Sequence, residues 1–164
     1  MPANNHLVQV SYAGLSLRDS KKAVGASSEE TSFGMDFSGI DKNGERVMGV
    51  VPGGALASRV KADPHLLWPV PYHWSLQDAA TVPLPYVVAY YCLAIKGQLM
   101  KNQNVLITGG AGALGQALIC LCLSQDCTVF TTVSSQQKKD FLLRLFPQLD
   151  ESKIAYSRDE SFEH

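Results

Sequence analysis

An excess of charge of either sign is missing from this chain of 164 residues. It has 14 Lys and Arg against 15 Asp and Glu, which leaves a formal net charge of −1. A chain without a basic excess has no broad positive field with which to hold a nucleic acid or an anionic lipid surface. We therefore expect neither nucleic acid nor a membrane among its partners.

Long apolar runs and a cationic start are also missing. No stretch reaches the roughly 20 continuous apolar residues that a membrane-spanning helix needs, and residues 1–6 lack the features of a secretory signal. Four cysteines, Cys92, Cys120, Cys122 and Cys127, lie among apolar residues without the two-residue gap of common zinc hooks. We expect buried, reduced thiols in a soluble, cytoplasmic protein.

The first part of the chain, residues 1–74, has the pattern of short strands joined by tight turns. Short apolar runs there are broken by Gly, Pro and polar residues. Segments 36–40 and 46–51 flank a turn, which predicts a hairpin in which Asn43 and Gly44 take the positive-φ positions. Such a region closes more readily as a β-barrel or sandwich than as a helical bundle.

Helix signals begin at residue 75. Ser75 and Asp78 have the spacing of a capping box, in which the serine hydroxyl bonds a free amide of the first helical turn. A second helical run over residues 86–95 is predicted to end with Gly97 in a left-handed cap.

Strands and helices then alternate over residues 104–156. Segments 104–108 and 128–133 are short and β-branched, apolar residues recur at helical spacing between them, a further helix stops at Pro147, and 154–156 is a weak third strand. This order predicts an α/β fold with a partial Rossmann sheet, parallel and doubly wound.

A glycine-rich segment, Gly110-Ala111-Gly112-Ala113-Leu114-Gly115, matches the pattern G-x-G-x-x-G. It follows a predicted strand and opens a predicted helix, as in dinucleotide-binding folds. Gly110 would permit a tight turn there, Gly112 would let phosphate oxygens approach the backbone, and Gly115 would let helix and strand pack closely. Free amides at the helix start predict a pyrophosphate site formed by all six residues. The alternative is a glycine turn that merely packs.

The residues after the second strand bear on which nicotinamide cofactor binds. NAD-binding folds place an acid roughly 20 residues after the glycine loop to bond the ribose 2′-hydroxyl, but this chain has Ser134 and Ser135 there. Lys138 and Lys139 follow at the start of the next helix, where their charge could pair with a 2′-phosphate. We predict NADPH, with Ser134, Lys138 and Lys139 as phosphate contacts. A solvated lysine pair is the alternative.

Several further stretches are idiosyncratic rather than generic. They are residues 12–19 (YAGLSLRD), 34–39 (GMDFSG), 46–49 (RVMG), 89–91 (AYY), 129–138 (VFTTVSSQQK), 146–150 (FPQLD) and 157–159 (SRD). Together they resemble the enoyl reductase domain of animal fatty acid synthase, a zinc-free medium-chain dehydrogenase/reductase. The resemblance implies an incomplete GroES-like β portion over residues 1–74 and an incomplete Rossmann portion over residues 75–164, as in a truncated fragment of such a domain.

The resemblance also implies a reaction and its partners. Similar domains reduce trans-2-enoyl thioesters on acyl carrier protein, with hydride passing from NADPH to the β-carbon, inside a homodimeric parent that carries other synthase domains. Zinc-dependent relatives have Cys, His and Gly-His-Glu where this chain has Leu15-Ser16 and Gly34-Met35-Asp36, so we expect no metal. The family's proposed proton donors match no part of this sequence, so no catalytic residue is named.

Two other functions fit the same residues. One is a non-catalytic remnant of a synthase that binds nucleotide or acts as a spacer, and the other is a stand-alone, zinc-free quinone oxidoreductase. NADPH oxidation with a crotonyl thioester favours the enoyl reductase, and NADPH binding without turnover favours the remnant. Turnover of a quinone but not of an enoyl thioester favours the quinone oxidoreductase. Because three parallel strands leave a sheet edge uncovered, we expect the isolated chain to unfold partly or aggregate.

Overall fold

A computed structural model of the chain describes residues 6–26 and 32–158, so that Asp159 of the SRD stretch lies outside the described residues. The chain forms two compact units, residues 1–84 and 85–164. The boundary predicted from the sequence, between residues 74 and 75, falls ahead of a short helix that belongs to the first unit. Each unit has its own core.

The first unit is built on a five-stranded antiparallel sheet in the order β4-β1-β2-β3-β5. Its elements are β1 (His6–Ala13), α1 (Leu17–Ala23), β2 (Asp36–Asp41), β3 (Arg46–Val50), β4 (Arg59–Ala62), a 3-10 turn (Pro64–Leu66), β5 (Leu67–Pro69) and α2 (Leu76–Ala79). Val8 and Phe37 are fully buried at the centre of its apolar core. The predicted pattern of short strands and tight turns is confirmed.

The predicted hairpin is β2–β3, but only one of its two turn residues was predicted correctly. Gly44 has φ +83°, whereas Asn43 does not have a positive φ. The Asp41 carboxylate instead accepts hydrogen bonds from the amides of Asn43, at 2.8 Å, and Glu45, at 2.9 Å. These bonds hold the turn without a second left-handed residue, because an Asp side chain can replace a backbone acceptor in a turn.

The second unit contains a three-stranded parallel sheet in the order β6-β7-β8. Its elements are β6 (Asn104–Ile107), α4 (Ala113–Ser124), β7 (Thr128–Val133), α5 (Gln136–Leu145), a 3-10 turn (Glu151–Lys153) and β8 (Ile154–Tyr156). They are preceded by α3 (Pro83–Tyr90), whose first two residues belong to the first unit, and by a π-helical turn (Tyr91–Lys96). Ile107, Ile119, Val129 and Leu142 are buried in one core. The predicted alternation of parallel strands and helices is confirmed.

The end of the second helical run differs from the prediction. Gly97 has φ −83°, so it does not adopt the left-handed conformation, which Gln98 takes instead with φ +48°. The Gly97 amide donates to the Cys92 carbonyl at 2.7 Å, five residues back, as in a π turn. This wider turn moves the left-handed position one residue along the chain.

The cysteines are all free thiols, but they are not uniformly buried. Cys122 and Cys127 are buried, Cys120 is half-buried and Cys92 is exposed. Burial raises the pKa of Cys122 to about 11, which keeps that thiol protonated and unreactive. The expectation of buried thiols is therefore wrong for Cys92.

One stretch of 21 residues, Leu76–Lys96, is long and apolar enough, by length and composition alone, to cross a membrane. A turn at residues 80–82 separates α2 from α3 within it. Core helices of soluble proteins pass the same test, so this is weak evidence for a membrane. The expectation that the chain has no membrane partner stays a prediction.

Candidate functional site

The glycine loop lies between the carboxyl end of β6 and the start of α4, where the sequence placed it. The chain turns at residues 109–112, where Gly109 has φ +70° and the Gly112 amide donates to the Gly109 carbonyl, so that Gly110 lies within the tight turn. Gly112 is the N-cap of α4, with φ −75° and ψ 164°, and no side chain caps the helix. The left-handed residue lies one position before the first glycine of the G-x-G-x-x-G pattern.

Gly110 and Gly115 are required by close packing. A Cβ atom on Gly110 would lie 2.2 Å from Thr131 Oγ1 and 3.1 Å from Ile119 Cδ1. A Cβ atom on Gly115 would lie 2.4 Å from the Gly109 carbonyl oxygen and 2.7 Å from Gly110 Cα. The close approach predicted for Gly115 is present, but α4 packs there against the loop rather than against the strand.

Gly112, in contrast, has room for a side chain, because a Cβ atom built on it would meet only one atom within 4 Å. The nearest atom to a Cβ built on it is the Gly109 carbonyl oxygen, at 3.4 Å. The Gly112 amide closes the turn by donating to that oxygen at 3.0 Å. Because the first amides of an α-helix have no acceptor within the helix, residues 113–115 present N–H groups at the positive end of the α4 dipole. This arrangement suits an anion such as a diphosphate.

The other three loop residues are Ala111, Ala113 and Leu114. Ala111 is partly buried against the core of the second unit, and its carbonyl accepts from Gln116 Nε2 at 3.0 Å. Leu114 is partly exposed on the first turn of α4. Any contact of Ala111, Ala113 or Leu114 with a cofactor would thus be made mainly through backbone amides. The sequence analysis predicts the same kind of contact for all six loop residues.

Ser134 and Lys138 lie together beyond the carboxyl end of β7. The Lys138 ammonium donates to Ser134 Oγ at 2.8 Å, and Lys138 is exposed while Ser134 is half-buried. Lys138 is in the first turn of α5, whose N-cap, Ser135, makes no side-chain capping bond. The carboxyl ends of parallel strands share one edge of a sheet, so this pair and the glycine loop are at the same edge.

Lys139 is not brought together with this pair. Its ammonium lies 3.3 Å from Glu151 Oε1 and 5.9 Å from the centre of the Tyr156 ring. Successive residues of an α-helix point about 100° apart, since one turn takes 3.6 residues. The two predicted lysines therefore lie in different surroundings. Lys138 faces solvent, whereas Lys139 forms an ion pair with Glu151 in the 3-10 turn before β8.

Arg158 is a residue at this edge that the sequence analysis missed. It follows β8, the strand that pairs with β7, and the Ser157 amide donates to the Val133 carbonyl at 2.8 Å. The backbone of Arg158 is thereby held next to Ser134, and its side chain is exposed. The signal was present in the sequence as an arginine two residues beyond a predicted parallel strand.

Nothing in the described residues forms a metal site. No group of three or more His, Cys, Asp or Glu side chains lies close enough there to hold an ion. At the positions where zinc-dependent relatives have ligands, Ser16 caps α1 and Asp36 is buried, accepting from the Leu84 amide at 3.4 Å. Burial raises the pKa of Asp36. The absence of a metal stays a prediction.

No family model matches the chain. It is similar in sequence to polyketide synthases and in structure to reductases. It is 33% identical over 166 residues to reducing polyketide synthase PKS1 of Cochliobolus heterostrophus, a match that covers 96% of this chain and 6% of that protein. CurK enoyl reductase aligns with a TM-score of 0.87 and 26% identity, over 98% of this chain and 54% of that one. The quinone oxidoreductase of Thermus thermophilus, solved with and without NADPH, gives a TM-score of 0.78 and 27% identity over 95% of this chain and 54% of that one.

This chain has the medium-chain dehydrogenase/reductase fold. Its curled antiparallel sheet and its parallel sheet both match those reductases, which confirms the predicted fold class. The chain spans about half the length of these two medium-chain reductases and 6% of the synthase.

The synthase found by similarity is a polyketide synthase, which corrects the expectation of animal fatty acid synthase. Two of the stretches that suggested fatty acid synthase lie in helices and strands of this fold. Residues 16–19 cap α1, and residues 36–39 form part of β2. A stretch that the fold requires does not distinguish synthases that share this reductase fold.

Proposed function

We propose that this chain is the NADPH-binding part of an enoyl reductase that acts within a multidomain synthase. The similarity to CurK enoyl reductase over 98% of the chain and to a polyketide synthase over 96% supports this proposal. NADPH, when bound, supplies the hydride for the β-carbon of an α,β-unsaturated thioester. That thioester, carried on acyl carrier protein, and the neighbouring synthase domains are the proposed partners.

One observation carries the cofactor assignment: an uncapped helix start shares a sheet edge with the Ser134–Lys138 pair. The amides of residues 113–115 would hold the diphosphate, and its oxygens could approach Gly112, where a built Cβ atom meets only the Gly109 carbonyl oxygen. Ser134, Lys138 and Arg158 would contact the 2′-phosphate. Residues 131–135 contain no carboxylate to repel that phosphate, and the acid nearest to them along α5, Asp140, accepts from Gln136 at 2.7 Å.

The cofactor assignment is tested by separating the two lysines. Lys138→Ala should weaken NADPH binding about tenfold, the worth of one charge-assisted hydrogen bond, and leave NADH binding unchanged. Lys139→Ala is the matched control, because it removes the same charge from the next residue of α5. The Lys139 ammonium contacts Glu151. The measurement is the dissociation constant of each cofactor by titration calorimetry, for the 164-residue chain if circular dichroism shows that it is folded and otherwise for the parent protein.

Two results would contradict the assignment. The first is a wild-type chain that binds NADH as tightly as NADPH. The second is an equal loss of NADPH affinity in both lysine variants, which would mean that only the general positive charge of α5 matters and that Lys138 contacts no phosphate.

The quinone oxidoreductase remains a second candidate, because the Thermus thermophilus enzyme matches the chain with nearly the same identity as CurK. The two are distinguished by NADPH oxidation in the parent protein with a crotonyl thioester or with a quinone. Binding of NADPH without turnover of either substrate would support a non-catalytic remnant. A homodimeric parent and a cytoplasmic location stay predictions.

A further inference from the structure

Thr132 of β7 accepts two hydrogen bonds from the start of the glycine loop and the residue before it. Its hydroxyl oxygen accepts a hydrogen bond from the Gly109 amide at 3.1 Å, and its carbonyl accepts from the Gly110 amide at 3.0 Å. The preceding residue, Thr131, has a different role, since its buried hydroxyl donates to the Ile107 carbonyl at 2.7 Å and joins the two strands. Thr132 is thus the side chain of β7 that bonds the loop itself.

The position of this bond matters because Gly109 has the left-handed conformation at which the chain turns into the loop. Gly109 has φ +70°, a region that favours glycine, and a Cβ atom built on it would meet nothing within 4 Å. A glycine that is free to move loses conformational entropy when a ligand orders it, which weakens binding. The Thr132 hydroxyl restrains that glycine before any ligand arrives.

We propose that Thr132 is a positioning residue for the dinucleotide. Its hydroxyl holds Gly109 and Gly110 so that Gly112 and the amides that follow it are already arranged for the diphosphate. Thr132 acts through the loop rather than by touching the cofactor. The inference rests on the proposed function for its ligand, but the bond that it depends on lies within the protein and can be measured without a ligand.

The variant that tests it is Thr132→Val, which replaces the hydroxyl with a methyl group and keeps the β-branched shape that suits a strand. Thr128→Val is the matched control, four residues earlier on the same strand and on the same face of the sheet. Thr132→Ser restores the hydroxyl. NADPH should bind about 3- to 10-fold more weakly to Thr132→Val, as expected for the loss of one hydrogen bond. The control and the serine variant should bind like the wild-type chain.

A second measurement separates this inference from the proposed function. Hydrogen exchange of the Gly109 amide, followed by NMR in the nucleotide-free chain, should be faster in Thr132→Val and unchanged in Thr128→Val. If the wild-type chain binds no NADPH, the proposed function fails, and the exchange rates still show whether Thr132 holds the loop.

Four outcomes overturn the role of Thr132, and the first three concern binding and exchange. They are unchanged NADPH affinity in Thr132→Val, failure of Thr132→Ser to restore binding, and unchanged exchange of the Gly109 amide. A general loss of helical circular dichroism in Thr132→Val, with Thr128→Val intact, would also overturn it, because the residue would then support the whole unit rather than the loop.

Discussion

The helices of this protein begin in two different ways. In the first unit, α1 and α2 each have a complete capping box, formed by Ser16 with Asp19 and by Ser75 with Asp78. In the second unit, α4 and α5 begin at Gly112 and Ser135, and neither N-cap residue makes a side-chain hydrogen bond to the helix. In the first pair of helices a side chain accepts from a first-turn amide, whereas no N-cap side chain does so in the second pair.

The difference is also electrostatic. The capped helices already have a carboxylate in the first turn, where it complements the helix dipole. Burial alone would raise the pKa of Asp19, but hydrogen bonds from Ser16 and from the Gly34 amide outweigh it and hold that pKa below 3.8. Hydrogen bonds from Ser75 likewise lower the pKa of Asp78. The first turns of α4 and α5 contain no acid, so an anionic ligand can supply the missing charge.

The largest expected effect comes from giving α4 a cap of its own. Gly112→Asp places a carboxylate at the N-cap, where it can bond the free amides and occupy the space proposed for the diphosphate. NADPH affinity should fall at least a hundredfold, roughly 2.7 kcal/mol, because the carboxylate both fills the site and repels the phosphates. The free energy of unfolding should rise by a few tenths of a kcal/mol. Calorimetric titration and urea denaturation measure the two quantities.

Gly112→Ala separates the steric part of that effect from the electrostatic part. The added methyl group meets only the Gly109 carbonyl oxygen, at 3.4 Å, and φ is −75°, so the fold should tolerate it. Its loss of NADPH affinity should be smaller than that of Gly112→Asp. If Gly112→Asp binds NADPH as well as the wild-type chain does, the uncapped start of α4 is not the cofactor site.

The sequence predicted local features well and distant contacts poorly. The capping box at Ser75, the glycine loop and the three parallel strands were found because each is encoded by residues that are close together in the chain. The same spacing of serine and aspartate at Ser16 also encodes a capping box, but the sequence analysis does not predict a helix there. The surrounding residues have the pattern of short strands and turns. That helix could have been found, since its signal is local.

The remaining parts of the site could not be found this way. The bond between Gly109 and Thr132 joins residues 23 positions apart, and the contact of Lys139 with Glu151 depends on how α5 sits on the sheet. No spacing rule predicts which of two adjacent lysines faces solvent when the partner lies on another element. Register between β7 and β8, which holds Arg158 beside Ser134, is likewise a property of the folded sheet.

The next largest effect is expected at the buried cap of α1. Asp19 is only 5% exposed and accepts from the Ser16 amide at 2.9 Å, the Ser16 hydroxyl at 2.7 Å and the Gly34 amide at 2.8 Å. Asp19→Asn keeps the shape but removes the charge and one acceptor, which should cost about 2 kcal/mol of unfolding free energy at pH 7. Urea denaturation of the variant and the wild-type chain gives the difference.

The pH dependence of that difference tests its cause. The pKa of Asp19 is lowered in the folded state, so its stabilisation is complete above the unfolded value near 3.8 and is lost as the pH falls through the folded value. The gap between wild type and Asp19→Asn should therefore shrink below about pH 4. Asp78→Asn, at the exposed box of α2, should show a smaller gap. A gap for Asp19→Asn that is constant with pH would mean that the charge of Asp19 is not what stabilises the cap.

The smallest effect distinguishes two serines that both precede helices. Ser75→Ala removes a hydroxyl that accepts from the Asp78 amide at 3.0 Å, and it should cost about 1 kcal/mol of unfolding free energy without changing NADPH affinity. Ser135→Ala removes a hydroxyl that makes no capping bond, so it should cost only a few tenths of a kcal/mol. Urea denaturation of both variants measures the contrast. Equal losses would mean that the α5 start is capped in solution, and its amides would then be closed to a phosphate.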